Sequence, residues 1–215
     1  APFIFLGSLS IAILGFVIWT VPKLRSHLSD DRKHPNPVKV LTSLARNSNQ
    51  LSALGFTIML VLGHFTIIPF LSPYMVSNVG FSESDLTYIY MLGGAVTIFT
   101  SPFIGRLADR IGKARVFTIL ALLALIPLFA LTNLPRTALP IALFVTTVFF
   151  ITSSGRWVPA TTMITSTVTP QSRGSFMSIN SSVQQLTAGI AASIAGVIVT
   201  RNAAGELVNY DYVGY

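Results

Sequence analysis

The chain has 215 residues, of which 52% are hydrophobic and only 10% charged, and its formal net charge is +7. A soluble domain carries roughly 25% charged residues, so this chain has too little polar surface to coat itself in water. The absence of cysteine excludes disulfide and thiol chemistry.

Lipid is the solvent this composition implies. A bilayer core takes about 20 apolar residues per crossing, and each crossing must be helical because an open sheet leaves backbone groups unsatisfied. The first expected span runs from Pro2 to about Val21. It has no opening Met and no basic n-region, so it reads as a spanning helix of a fragment or processed chain, not as a signal peptide. A basic connector follows over 22–50. Within it DDRKHPNP reads as a flexible linker, and Asn36-Pro37 starts a short surface helix with Val38, Leu41 and Ala45 as a weak apolar stripe. The second span is expected from about Leu51 to Val76, with Pro69 and Pro73 near its far end.

The third span, about Asp85 to Ile104, is opened by Ser82-Glu83-Ser84-Asp85, the pattern of a capping box. The fourth is near Val116 to Thr132 and the fifth near Ala138 to Thr165. Thr169-Pro170 suits an N-cap followed by proline in the first turn of the sixth, which runs from about Ser175 to Thr200. Gly93-Gly94, and Ala188, Ala192 and Gly196 at spacings of four, point to close helix packing. The organisation expected is therefore a helix at 1–21, a connector at 22–50, five spans within 51–200 and an external loop at 201–215.

The basic residues set the orientation. Lys23, Arg25, Arg32, Lys33, Lys39 and Arg46 lie in the first connector; Arg106, Arg110, Lys113 and Arg115 follow the third span, and Arg173 the fifth. These are eleven of the fourteen basic residues. Only Arg136 and Arg201 fall on the opposite side, and Arg156 lies within a span. The bias places the long connector in the cytoplasm. It explains the positive charge by topology and excludes nucleic acid as the partner; the lipid bilayer is the expected surrounding.

GRLADRIGKAR, Gly105 to Arg115, packs five charged residues into eleven between two uncharged runs of twenty, Leu86 to Gly105 and Val116 to Pro135. As a turn between helices, Gly105 and Gly112 would permit close backbone approach and positive φ. The inside rule accounts for Arg106, Arg110, Lys113 and Arg115 but not for Asp109. The negative charge of Asp109 needs a partner, either a nearby arginine or the positive N-terminus of another helix.

This stretch resembles the cytoplasmic signature of the major facilitator superfamily: Gly, three residues, Asp-Arg, one residue, Gly, then basic residues. A spanning helix and a long basic connector precede it, as they precede the family's second copy of the signature. VTPQSRGSF, Val168 to Phe176, resembles the turn before the eleventh helix, and SGRWVPA, Ser154 to Ala160, a stretch of the tenth helix in drug and sugar exporters. Ala114 departs from the pattern, which usually has a second basic residue there. The resemblance implies an all-α, polytopic membrane helical bundle: the C-terminal six-helix half of the fold with its last helix missing. It implies alternating access, with Gly105, Asp109, Arg110, Gly112, Lys113 and Arg115, and Arg173 and Gly174, as the gating turns. The partner bundle would be the missing N-terminal half of the same protein.

Four residues within spans are candidates for the transport site. Arg156 either anchors an anionic group, pairs with a carboxylate of the other half, or snorkels if its span ends near Ala160. His64 either relays protons and bonds substrate or serves as a helix–helix hydrogen-bond partner. Asn180 and Gln184 are four apart and, with Thr187, make a polar stripe facing a cavity or another helix; Gln185 points elsewhere. Phe65, Phe70 and Tyr90 are candidates for an aromatic pocket lining.

No GxxxxGK[ST] motif occurs, and His27, His34 and His64 lack metal-ligand spacing, so neither a cofactor nor a metal is expected. A membrane enzyme, the rival class, would require a polar catalytic cluster at one membrane face, and only the charged stretch Gly105 to Arg115 qualifies. The function expected is proton-coupled efflux of a small organic molecule, a drug or sugar, across the bacterial inner (plasma) membrane. An uptake symporter and a non-transporting receptor or scaffold of the same fold are the alternatives.

Overall fold

The computed structural model describes residues 2–20, 42, 44 and 46–214. The basic connector, including the short helix expected at Asn36-Pro37, lies almost wholly outside the described residues. The chain divides into two units, 1–40 and 41–215.

In the first unit a single apolar helix, α1 (Pro2–Thr20), is described. Its hydroxyls are satisfied internally: Ser8, Ser10 and Thr20 donate to the carbonyls of Phe5, Leu6 and Phe16. Such back-bonding lets Ser and Thr sit in an apolar helix without an unpaired donor.

The second unit is a helical bundle of α2 (Ser48–Phe65), α3 (Ile68–Tyr74), α4 (Glu83–Ile111), α5 (Lys113–Thr132), α6 (Leu139–Gly155), α7 (Trp157–Ser166) and α8 (Arg173–Ile198). Among the described residues six segments are long and apolar enough to cross a membrane: α1, α2 with α3, α4, α5, α6 with α7, and α8. The fold is thus an all-α polytopic bundle, as the composition requires.

The breaks within spans have local causes. Pro69 cannot donate to the carbonyl four residues back, and α2 ends at Phe65 before α3 begins at Ile68. Pro159 likewise leaves the Gly155 carbonyl without its helical donor, and Arg156 stands at the joint between α6 and α7. The capping box at α4 forms as expected: Asp85 N–H donates to Ser82 Oγ, and Ser82 N–H donates to Asp85 Oδ2 at 3.0 Å.

Helices α4 and α6 pack closely, as do α2 and α8. At Gly93 an added Cβ would collide with the Phe150 ring of α6, whereas at Gly94 nothing lies within 4 Å. Only the first of the two glycines therefore serves the close approach.

On α8 the buried positions are Phe176, Asn180, Thr187, Ala191 and Ala195. The expected small-residue face, Ala188, Ala192 and Gly196, lies one residue further, about 100° around the helix. Alternating small residues along α8 made both faces plausible in sequence; packing against α2 selects the earlier one.

Three connections meet at one end of the bundle. A π-helical turn, Met75–Val79, follows α3 and closes with the Phe81 N–H donating to the Met75 carbonyl. Its Asn78 side chain grips one residue of the C-terminal segment at both backbone groups: Nδ2 donates to the Leu207 carbonyl and Oδ1 accepts from the Leu207 N–H, each at 2.8 Å. Tyr74 donates to the Leu134 carbonyl at 3.0 Å, and Arg136 pairs with Glu206 at 3.6 Å on the surface.

The stretch expected as a plain loop is ordered. Strands β1 (Thr200–Arg201) and β2 (Leu207–Val208) form an antiparallel hairpin, followed by a short helix, α9 (Tyr210–Gly214). Tyr210 is 1% exposed and donates to the Ile67 carbonyl at 3.1 Å. Leu207 and Tyr210 complete an apolar cluster with Ile67, Leu71, Met75, Ile89 and Leu131.

Candidate functional site

The charged stretch between the third and fourth spans is not an extended turn. Helix α4 continues through the charges to Ile111 and α5 begins at Lys113, so Gly112 alone joins them, at φ +103°. The helix outruns its expected end at Ile104 because Arg, Leu and Ala are good helix formers. Only a residue without a Cβ takes that φ readily. Gly105 does not share this role. It is helical, and a Cβ there would meet Val158 at an ordinary 3.7 Å.

Asp109 and Arg110 occupy the last turn of α4 and are exposed, as is Arg115 on the first turn of α5, while Lys113 is half-buried. Among the described residues Asp109 has neither an ion pair nor a hydrogen bond. Its carboxylate sits at the negative pole of its own helix, a placement disfavoured by about 0.3–1 kcal/mol. Beneath it Ile104, Ala108 and Val116 pack with Leu107, Leu120 and Val158, fixing the turn against α7.

Arg173 and Gly174 are exposed at the start of α8. The residue before that helix is Ser172, not Thr169. Thr169 and Pro170 instead form a separate turn, closed by the Ser172 N–H to the Thr169 carbonyl at 3.1 Å. Proline suits the second position of such a turn as well as it suits a helix start, which is why sequence did not separate the two.

The four candidates within spans divide into two sets. Asn180 is 1% exposed and Thr57 is 0% exposed. The Thr57 hydroxyl donates to Asn180 Oδ1 at 2.7 Å, joining α2 to α8. Gln184, one turn on, is half-buried. Gln185, which sequence ranked below it, belongs to an exposed face with Ser178, Ser182, Gly189 and Ser193. The large exposed apolar residues Leu186, Ile190, Ile194 and Val197 occupy a neighbouring face. A face of small and polar residues on a spanning helix meets water or another helix in preference to lipid.

His64 and Arg156, far apart in sequence, are brought together. Trp157 lies edge-on to the His64 imidazole, with centroids 6.0 Å apart and planes at 79°. The Arg156 guanidinium is within electrostatic reach of the same ring. Gly155 admits this joint into the bundle, since a Cβ there would strike Ile104. His64 Nδ1 and Arg156 Nε are sealed and unbonded. Arg156 stands at the joint inside Leu139–Ser166, a helical segment of 28 residues, more than the about 20 that one crossing takes. A cation in a spanning helix costs about 2.5–3.5 kcal/mol at the bilayer centre and less toward the interface.

Tyr90 hydrogen-bonds Ser72 at 2.5 Å and lines a small cavity of about 210 Å³ with Gly93, Gly94, Thr97, Phe150 and Ser154. Phe65 contacts the His64 ring. Phe70 lies toward Gly196, so the three aromatics named from sequence do not share one lining.

Residues 53–203, more than half of the chain, match the sequence profile of the Major Facilitator Superfamily. The chain belongs to the Major Facilitator Superfamily. No solved structure matches it. The superfamily is one of secondary transporters, which makes this chain a membrane-embedded protein of the secondary-transporter class. In that setting Thr57 and the serine face of α8 are the residues sequence reasoning passed over, whereas Trp157 was noticed as a member of SGRWVPA. The serine face was visible as Ser, Gln or Gly at 178, 182, 185, 189 and 193. Thr57 carried no local signal.

Proposed function

We propose that the chain is the C-terminal bundle of a proton-coupled exporter of small organic molecules, working by alternating access in a bacterial inner membrane with the basic connections cytoplasmic. The observation that carries it is Asp109: an exposed carboxylate on the last turn of α4, unpartnered among the described residues and followed by the Gly112 joint. A carboxylate so placed is stabilised by roughly 0.3–2 kcal/mol when it meets the N-terminus of another helix. In a two-bundle carrier that helix belongs to the other half, and the contact forms only when the cytoplasmic side is closed. Arg110, Lys113, Arg115, Arg173 and Gly174 form the rest of the gate. His64, Arg156, Asn180 and Gln184 are the transport-site residues, with Asn180 acting through its bond to Thr57. The export direction rests on the likeness of SGRWVPA to exporters of drugs and sugars.

The test is flux in proteoliposomes of the full-length protein under an imposed pH gradient, with drugs and sugars as candidate substrates. Proton entry coupled to substrate exit is expected, and Asp109→Asn is expected to lower flux several-fold at unchanged insertion. Wild-type flux in that variant removes the latch. Substrate and proton moving together make the protein a symporter, and no flux for any compound makes it a receptor or scaffold.

A further inference from the structure

The joint between α6 and α7 and the facing turn of α2 hold two basic side chains with no acidic side chain among the described residues to neutralise them. Only one nitrogen of each, His64 Nδ1 and Arg156 Nε, is sealed. His64 Nε2 and both terminal nitrogens of Arg156 remain accessible and, among the described residues, bond to nothing. Among the described residues the five acidic side chains offer no counter-charge. Glu83 and Asp85 sit on the first turn of α4, Asp109 on its last, and Glu206 and Asp211 follow α8.

A half-buried guanidinium within a spanning helix, with no carboxylate beside it among the described residues, is an unmet demand for an anion. We propose that Arg156 and His64, with the Trp157 indole beside them, bind the oxyanion of the transported molecule, so that the substrate is an organic anion bearing a carboxylate or phosphate. The inference rests on the carrier reading above and narrows its substrate class. The two terminal nitrogens of Arg156 match the two oxygens of a carboxylate or phosphate as a fork, and His64 supplies a further donor. Trp157 offers an apolar flank for the body of the same molecule. A cationic compound would meet the uncompensated positive charge at low dielectric and be repelled.

The experiment measures ligand-induced shifts in melting temperature of the detergent-solubilised full-length protein, with benzoate, succinate and phenyl phosphate as oxyanions. Benzamide and benzylamine serve as neutral and cationic counterparts of benzoate. Saturable stabilisation by at least one oxyanion and none by benzamide or benzylamine is expected, and comparing benzoate with phenyl phosphate tells carboxylate from phosphate. Arg156→Gln is expected to weaken the apparent affinity roughly tenfold or more, the scale of a charge-assisted bond. Arg156→Lys, which keeps the charge and fold, retains part of the response, and His64→Phe weakens it by a smaller factor.

Equal shifts from benzamide and benzoate, an unaltered response in Arg156→Gln, or no oxyanion response in wild type overturns the proposal. The last outcome assigns the counter-charge to a carboxylate of the protein itself. Flux separates the two readings: proton-linked export of neutral or cationic compounds, undiminished in Arg156→Gln, leaves the carrier standing and removes the anion site. Oxyanion binding that Arg156→Gln abolishes, with no flux of any compound, does the reverse.

Discussion

The hydroxyl of Thr57 on α2 and the side-chain carbonyl of Asn180 on α8 meet at 2.7 Å, both buried, across 123 residues of sequence. Interhelical hydrogen bonds in membranes average about 0.6 kcal/mol and reach about 1.7. Asn180→Ala and Thr57→Val are each expected to destabilise the bundle within that range. Because they break one bond, the double variant should cost less than the sum of the singles; additive losses in a double-mutant cycle of unfolding would show that the bond contributes nothing.

Gly93 and Gly94 look alike in sequence and are expected to behave oppositely. Gly93→Val must displace the Phe150 ring and separate α4 from α6, a change costing roughly 1–3 kcal/mol. Gly94→Ala meets nothing within 4 Å and gains helix propensity worth up to about 1 kcal/mol. Thermal unfolding of the two variants in detergent checks the contrast.

Gly112→Ala is expected to strain the one-residue joint between α4 and α5, at a cost of roughly 1–3 kcal/mol, because φ +103° excludes a Cβ. Gly105→Ala, helical and in ordinary contact with Val158, should fold as wild type. Similar melting temperatures for both variants would show that the joint relaxes.

Alkaline pH should loosen the C-terminal segment through Tyr210. Burial, then the neighbouring Tyr74 and Tyr90, push its pKa above the ordinary tyrosine value. The unfolded chain therefore releases this proton first: the stabilisation is fully present below about pH 10 and falls as pH rises beyond it. Tyr210→Phe removes the bond to Ile67, costing roughly 1 kcal/mol, and should flatten the loss of stability between about pH 10 and 11. An identical alkaline slope in the variant would place the sensitivity elsewhere.

The spans were legible because twenty-residue apolar runs have few alternatives, and the Ser82–Asp85 cap because both partners lie within four residues. The end of α4 was not. Charge marks a membrane boundary, but a helix stops only where its backbone must, and here that is Gly112. The buried face of α8 was found at Asn180 and Thr187, but its small residues were placed one position late, since small side chains alternate along the helix and only α2 decides which are covered. The order in residues 200–214 depends on Asn78, far away in sequence. His64 and Arg156 were each conspicuous alone, as polar residues in lipid; that they are neighbours follows from how α2 meets the α6–α7 joint, which no local pattern records.

The widened turn at Met75–Val79 carries a consequence for insertions and deletions. Asn78 reaches Leu207 because that turn accommodates one residue more than an α-helical one. Deleting a single residue there would swing the amide by about 100° and release the hairpin, whatever amino acid was lost. Chain length at this point, more than side-chain identity, is what a divergent homologue must keep.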